Sequence, residues 1–313
     1  KVVSQSTAGV NNGKSTLTLR VKNPERWDID NPYLYKLNTE LWADGKYIDG
    51  STTTAGLRSL EFNPDKGFAL NGRWMKVKGV CLHHDAGVLG ATVPEEVWER
   101  RLANLKSIGV NAIRCAHNPQ APALYDVCDR IGLLVMDEAS DEWEFPKRKW
   151  IEGWNKGTPG FDGTYDFFEE WIDRDVTDMV RRDRNHPSVI MWSLGNELQT
   201  LWDIPYADWG VTPYKMQREL LHRYDKTRPV TVAMHPRGRN QSTDSLPAPL
   251  ALETDIAAYN YRYMYFPGDS RRFPWMMFYQ SEANTSNMGP NYFDMDLDRV
   301  IGLAYWGMID YLG

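Results

Sequence analysis

Two glutamates carry the sharpest chemical signal in the chain. The run Val189-Ile190-Met191-Trp192-Ser193-Leu194-Gly195-Asn196-Glu197 reads as a buried strand that breaks at Gly195 and opens on an amide and a carboxylate. Trp275-Met276-Met277-Phe278-Tyr279-Gln280-Ser281-Glu282 has the same shape. In parallel β/α sheets the carboxyl ends of the strands face the ligand, so both acids are expected at one site. Paired carboxylates push each other's pKa values apart, which suits one acid and one base. Glycoside hydrolysis needs such a pair: an acid that protonates the leaving oxygen and a carboxylate at the anomeric carbon, about 5–5.5 Å apart when the latter is a nucleophile. On spacing alone, two unrelated surface glutamates remain the alternative.

The elements that must position these residues follow a regular order. Residues 1–70 are strand-like: 15–21 and 36–42 alternate in polarity, and Asp44-Gly45 is a hairpin turn signal. About four strands can be counted, which predicts part of an immunoglobulin-like β-sandwich in residues 1–70. Residues 68–73 predict a hairpin leading into the next domain, 71–313. From about Trp74 the pattern alternates strand and helix. Strands are expected at 75–81, 111–115, 133–136, a fourth ending at Glu197, 230–234, 256–259, 278–282 and 303–309. Helices are expected at 94–108, with Pro94 in the first turn, at 121–131 capped by Gly132, at 166–184, at 213–224 and at 296–301. Arg184-Asn185-His186-Pro187 closes the third of these, because proline cannot continue a helix.

Eight strands with interposed helices read as an α/β fold, a (β/α)8 TIM barrel. A Trp-rich loop of some 27 residues after the third barrel strand, and another after Glu197, read as functional or mobile. The sequence stops just after the eighth strand, so the barrel is expected to lack its last helix. A helix face of about 400 Å2 is worth on the order of 10 kcal/mol before entropy is subtracted. An isolated chain is therefore expected to be marginally stable, or to associate into a homo-oligomer through the gap.

Composition narrows the class. The chain has 313 residues, 25% of them charged, with a net charge of −6 and no long basic run. That excludes nucleic acid as the natural partner. The sequence has no run of 18 apolar residues, so no membrane span is expected. No signal peptide is recognised, which leaves periplasmic, secreted and cytoplasmic locations open. The 13 Trp and 16 Tyr suit sugar stacking as well as a large core. Cys81, Cys115 and Cys128 lie in apolar surroundings, read as buried free thiols, and no Cys-x-x-Cys metal spacing occurs.

Asp183-Arg184-Asn185-His186-Pro187-Ser188-Val189-Ile190-Met191-Trp192-Ser193-Leu194-Gly195-Asn196-Glu197 closely resembles the acid/base signature of glycoside hydrolase family two, which holds β-galactosidases, β-glucuronidases and β-mannosidases. Gly109-Val110-Asn111-Ala112-Ile113-Arg114-Cys115-Ala116-His117-Asn118-Pro119, Leu134-Val135-Met136-Asp137-Glu138-Ala139 and Asn31-Pro32-Tyr33-Leu34-Tyr35 resemble it too. The resemblance implies Glu197 as acid/base, Glu282 as nucleophile and Asn196 as the amide on the sugar 2-hydroxyl. It also implies Arg114 beneath the nucleophile, Tyr261 hydrogen-bonded to it, and Trp306 as the sugar platform. His83, His84, Asp85 and His117 sit at strand ends and are expected to line the pocket. Where some family β-galactosidases hold magnesium on a Glu-x-His pair, this chain has Glu142-Trp143-Glu144, so no metal is claimed. The Asn-x-Lys motif of family β-glucuronidases has no match late in the barrel.

The resulting expectation is a retaining exo-β-glycosidase that needs no organic cofactor and takes an oligosaccharide or glycoside substrate. β-Galactosides are the first expectation, with β-glucuronides and β-mannosides as alternatives. A non-catalytic carbohydrate-binding relative is the competing class, though a lectin has no need of both glutamates and Asn196 together.

Overall fold

A computed structural model of the chain describes residues 1–145, 163–198, 208–236, 242, 244–284 and 298–307. The first two strands, β1 (Tyr35–Ala43) and β2 (Lys46–Ala55), form an antiparallel hairpin. Asp44 and Gly45 both take positive φ at its tip, the backbone that the right-handed strand twist favours in two-residue turns. Residues 15–21, expected as a strand, form none, and most of them are exposed. Alternating polarity gives a segment two faces, but a strand also needs a neighbour for its backbone groups, and these residues pair with none.

Three short strands follow: β3 (Leu60–Asn63), β4 (Gly67–Leu70) and β5 (Arg73–Met75), antiparallel in that order. Asn71 and Gly72 make the expected turn between the last two. Met75 therefore closes this small sheet, and the first barrel strand starts two residues later. Together these antiparallel sheets are consistent with part of an immunoglobulin-like sandwich.

The rest is an eight-stranded closed parallel barrel. It comprises β6 (Val77–Leu82), α1 (Glu95–Ser107), β7 (Ala112–Cys115), α2 (Pro122–Ile131), β8 (Leu134–Glu138), α3 (Phe168–Asp183) and β9 (Val189–Asn196). Then come α4 (Val211–His222), β10 (Val230–Met234), α5 (Pro249–Glu253), β11 (Ala257–Asn260), α6 (Phe266–Arg272), β12 (Phe278–Ala283) and β13 (Val300–Tyr305). Closure comes from β13 pairing in parallel with β6, where Gly302 opposes Val77. A Cβ on Gly302 would stand 2.0 Å from the Val77 carbonyl oxygen, so only glycine allows this approach.

Several boundaries differ from expectation. Pro94 is the N-cap of α1 rather than part of its first turn. The helix expected at 296–301 is not formed where the chain is described: Asp298 and Arg299 are a turn, and Val300 and Ile301 begin β13. Both side chains are buried there, so the β-branched pair serves the ladder instead of a helix. β13 ends at Tyr305, and Met308 and Ile309 lie outside the described residues. So do residues 146–162 and 199–207, which make up most of the two Trp-rich loops.

Side-chain alternation along the strands separates two cores. Ile113, Val135, Val189 and Val230 pack outward against Leu102, Leu124, Val176 and Leu221 of the helices. Val77, Leu134, Met136, Met191, Tyr279 and Ile301 join Trp27, Phe68 and Leu70 in a second cluster. This second cluster plugs the barrel's amino end, and Arg58 ties the plug down by donating from Nε to the Pro187 carbonyl (2.5 Å) and from Nη2 to that of Val189 (2.7 Å). The carboxyl end is left for polar groups. Among the described residues no helix is long and apolar enough to cross a membrane. Cys81, Cys115 and Cys128 are buried and free, as expected.

Gly132 is a direct test of this packing. It caps α2 in the left-handed region, and a Cβ there would stand 2.4 Å from the Ile29 carbonyl oxygen. Gly132→Ala is expected to lower unfolding stability by about 1–3 kcal/mol, read from urea or thermal melts. An unchanged midpoint would show that the Ile29 segment yields freely.

Candidate active site

The strand ends converge on one guanidinium. Arg114 of β7 points into the barrel and is fully buried. Its Nη2 donates to Glu138 Oε1 (2.9 Å) and Oε2 (2.8 Å) at the end of β8, and to Asn196 Oδ1 (2.9 Å) at the end of β9. Its Nη1 donates to Glu282 Oε1 of β12 (2.8 Å) and to the Ser281 carbonyl (3.2 Å). A buried charge is tolerable only when paired and hydrogen-bonded, and here two carboxylates and an amide supply that.

The amides form a second layer. Asn260, the last residue of β11, donates from Nδ2 to Asn196 Oδ1 (3.0 Å) and to Glu197 Oε1 (3.0 Å). Its own oxygen accepts from Ser281 Oγ (2.6 Å), which fixes the amide orientation. Asn196 Nδ2 in turn donates to Asp141 Oδ1 (3.0 Å). Glu197 stands just past β9 with φ of 45°, and Tyr261 just past β11 with φ of 52°. Such backbones are rare outside glycine and persist where neighbours over-determine them. Here the Glu197 N–H donates to the Ala233 carbonyl (2.7 Å) and the Tyr261 N–H to that of Glu282 (2.9 Å).

An aromatic corner closes the opposite side. Trp306, whose N–H donates to the Ala283 carbonyl (2.8 Å), stacks on His117 with centroids 5.2 Å apart and planes 13° from parallel. His83 meets Trp306 edge-on at 4.9 Å. His117 Nδ1 is 2.6 Å from Glu138 Oε1, and its Nε2 is 3.6 Å from Glu282 Oε1.

The three carboxylates sit in different electrostatic surroundings. Burial alone would raise Glu138, but Arg114 and then His117 outweigh it and hold the carboxyl below its ordinary value. Glu282 is raised: burial dominates, Arg114 pulls the other way, and the Glu197 charge pushes it up further. Tyr261 is raised by burial and by the Glu282 carboxylate, which its hydroxyl reaches. Glu197 is the most open of the three acids, with one fifth of its side chain exposed.

The structure thus gathers Glu197, Glu282, Asn196, Arg114, His117, Tyr261, Trp306 and His83. Asp85 follows the same strand, and its Oδ1 accepts the Gly87 N–H (2.7 Å). His84 turns away to Gln120 Oε1 (3.0 Å) and packs near Trp98. A short polar residue after a strand is free to cap its own loop, and the sequence does not distinguish that use from ligand contact. Sequence reasoning missed Asn260, Asp141 and His235 as site residues, and did not single out Glu138. Asn260 and Glu138 are terminal strand residues and His235 follows β10 directly, so the strand-end rule applied to Glu197 would have found all three.

Glu142-Trp143-Glu144 contributes Trp143 as a support. Its indole is fully buried and donates from Nε1 to the Leu194 carbonyl (2.9 Å), against Gly195, where β9 runs on to Asn196 instead of breaking. Among the described residues, the ligand-type atoms of Asp126, Asp129 and His186 lie within 4.8 Å of one another, next to the amino end of β9. The Asp129 to His186 contact, at 2.7 Å, is a hydrogen bond, and the group is remote from the carboxylates.

Comparison with known proteins bears on the fold and the family. Residues 63–265 match the profile described as "Glycosyl hydrolases family 2, TIM barrel domain", and residues 1–58 that of "Glycosyl hydrolases family 2". The chain is similar to Beta-galactosidase BoGH2A of Bacteroides ovatus, with 38% identity over 91% of this chain and 35% of that protein. It is 33% identical to a Beta-glucuronidase of Bacteroides fragilis over 71% of this chain and 30% of the other. Among solved structures it resembles a glycosyl hydrolase family 2 member from Bacteroides cellulosilyticus, with a TM-score of 0.76, 36% identity and coverage of 92% of this chain and 36% of that one. The chain spans about a third of the length of these relatives.

The Arg114 network is expected to be strongly coupled. Arg114→Met and Glu138→Gln should each cost about 3–5 kcal/mol of stability, because the first strands two buried carboxylates and the second leaves the buried guanidinium with Glu282 as its one remaining carboxylate partner. The double variant should cost less than the sum. Additive losses in denaturant unfolding would show that the two groups do not depend on each other.

Proposed function

The chain belongs to glycoside hydrolase family 2, and on that premise we propose that it is the catalytic part of a retaining exo-β-glycosidase acting on terminal β-galactosides. The observation that carries this reading is the division of labour between two carboxylates over one site. Glu282 is buried against Arg114, a partner suited to holding an anion at the anomeric carbon. Glu197 is more open and bound at one oxygen by Asn260, as suits a group that exchanges a proton.

In the first step Glu197 donates its proton to the glycosidic oxygen while a Glu282 oxygen attacks the anomeric carbon. The bond to the leaving group breaks and a glycosyl ester forms on Glu282. In the second step Glu197 takes a proton from water, whose oxygen attacks the anomeric carbon and releases Glu282. Arg114 and Tyr261 hold the nucleophile oriented. Asn196, pinned between Arg114, Asn260 and Asp141, presents its amide to the sugar 2-hydroxyl. Trp306 and His117 supply the apolar face for the ring. The choice of galactosides is supported by the similarity to BoGH2A.

The test is a panel of 4-nitrophenyl glycosides with wild type, Glu197→Gln and Glu282→Gln. The β-galactoside is expected to be the best substrate, and Glu282→Gln to abolish turnover. Glu197→Gln should lose ~10²–10⁴-fold on poor leaving groups and far less on good ones. Because the nucleophile must be ionised and burial raises Glu282 above the ordinary 4.5, kcat/KM should begin to fall at a higher pH than an unperturbed glutamate would give. Full activity in Glu282→Gln would refute the assignment, and wild type that binds galactosides without cleaving any would favour the carbohydrate-binding alternative.

A further inference from the structure

Asn196 is held at both ends of its amide. Its Oδ1 lies 2.9 Å from Arg114 Nη2 and 3.0 Å from Asn260 Nδ2. A guanidinium only donates, so the atom facing it is the amide oxygen and the other end is the nitrogen. That nitrogen donates to Asp141 Oδ1 at 3.0 Å and also faces His117 Nε2 at 3.3 Å. The first contact has ordinary length; the second is longer than usual, and is the one a substrate hydroxyl can replace. The place of Asp141 is built into the backbone around it. It lies past the end of β8, on a segment fastened to β9 on either side. The Ala139 N–H donates to the Ser193 carbonyl (2.9 Å), and Trp143 Nε1 donates to that of Leu194 (2.9 Å). Asn196 is almost fully buried, so protein partners rather than solvent decide the direction of its amide.

We propose that Asp141 is a positioning residue for Asn196: by accepting one amide N–H it turns the other toward the 2-hydroxyl of the bound sugar. The inference rests on Asn196 being the ligand of that hydroxyl. The two N–H bonds of a primary amide are fixed in one plane, so anchoring the first aims the second. Arg114 and Asn260 hold the oxygen end, about which the amide could still tilt; Asp141 adds the third point, at the nitrogen. Hydrogen bonds to the 2-hydroxyl strengthen as the glycosidic bond breaks, so a misaimed amide costs more in the transition state than in the bound substrate. The loss therefore falls on kcat more than on KM.

The experiment uses the full chain, with 4-nitrophenyl β-galactoside and its 2-deoxy analogue as paired substrates. Asp141→Ala removes the acceptor, whereas Asp141→Asn keeps a carbonyl oxygen that can take the place of Oδ1. Should the alanine variant fold poorly, Asp141→Leu fills the same space without an acceptor and carries the same comparison. On the galactoside, removal of the acceptor is expected to lose about tenfold or more in kcat, with a smaller change in KM. On the 2-deoxy substrate, which offers no hydroxyl to aim at, kcat should stay within about threefold of wild type. Asp141→Asn should recover most of the lost turnover. Adding Asp141→Ala to Asn196→Ala should cost little more on the galactoside, because the group being positioned is already gone. Equal loss on both substrates would make Asp141 merely structural and no loss on either would make it dispensable; both results overturn the proposal. Asn196→Ala that loses equally on both substrates would refute the reading of Asn196 itself, and the proposal with it.

Discussion

The structure depends on one constraint: a guanidinium has been placed where water cannot reach it. Arg114 must be satisfied by protein groups alone, and the two carboxylates and the amide that do so come from three different strands. Glu138 comes from β8, Asn196 from β9 and Glu282 from β12. Satisfying one cation thus fixes the relative positions of four strand ends. The network serves stability and preorganisation together, since desolvation makes any unpaired member costly. Site geometry is thereby paid for by folding, with the side chains in place before a substrate arrives.

From that centre the surroundings differentiate carboxylates that are chemically alike. Glu138 takes most of the guanidinium and His117, stays ionised and acts as ballast. Glu282 shares the same cation, but burial, helped by the Glu197 charge, outweighs it and raises the carboxyl. Glu197 lies past its strand end, accepts from Asn260 at Oε1 and keeps one fifth of its side chain exposed. Burial, pairing and exposure, rather than residue type, assign the three acids their different tasks.

Much of this was legible in the sequence because strand ends are easy to recognise. A buried apolar run that stops on Asn-Glu or Ser-Glu predicts both the element and the direction of its last side chain, and Glu197, Asn196 and Glu282 follow from that. The barrel itself was legible from strand and helix alternation. The failures have a common cause. Residues 15–21 have a strand's pattern but no partner, and pairing is a tertiary fact. Val300 and Ile301 were read by spacing as helix, whereas the closing ladder with β6 and β12 claims them. His235 went unremarked because one histidine after a strand carries little signal until its neighbour across the ladder is known to be Glu197.

The central claim is that Glu282 attacks the sugar directly while Glu197 exchanges protons, which fixes the stereochemistry of the reaction. Proton NMR of the anomeric signals during early hydrolysis of a β-galactoside reads this without mutating the site. Two displacements at one carbon predict that the β-anomer of the free sugar appears first and the α-anomer grows in only through mutarotation. First appearance of the α-anomer would mean a single displacement by water, and would contradict the account.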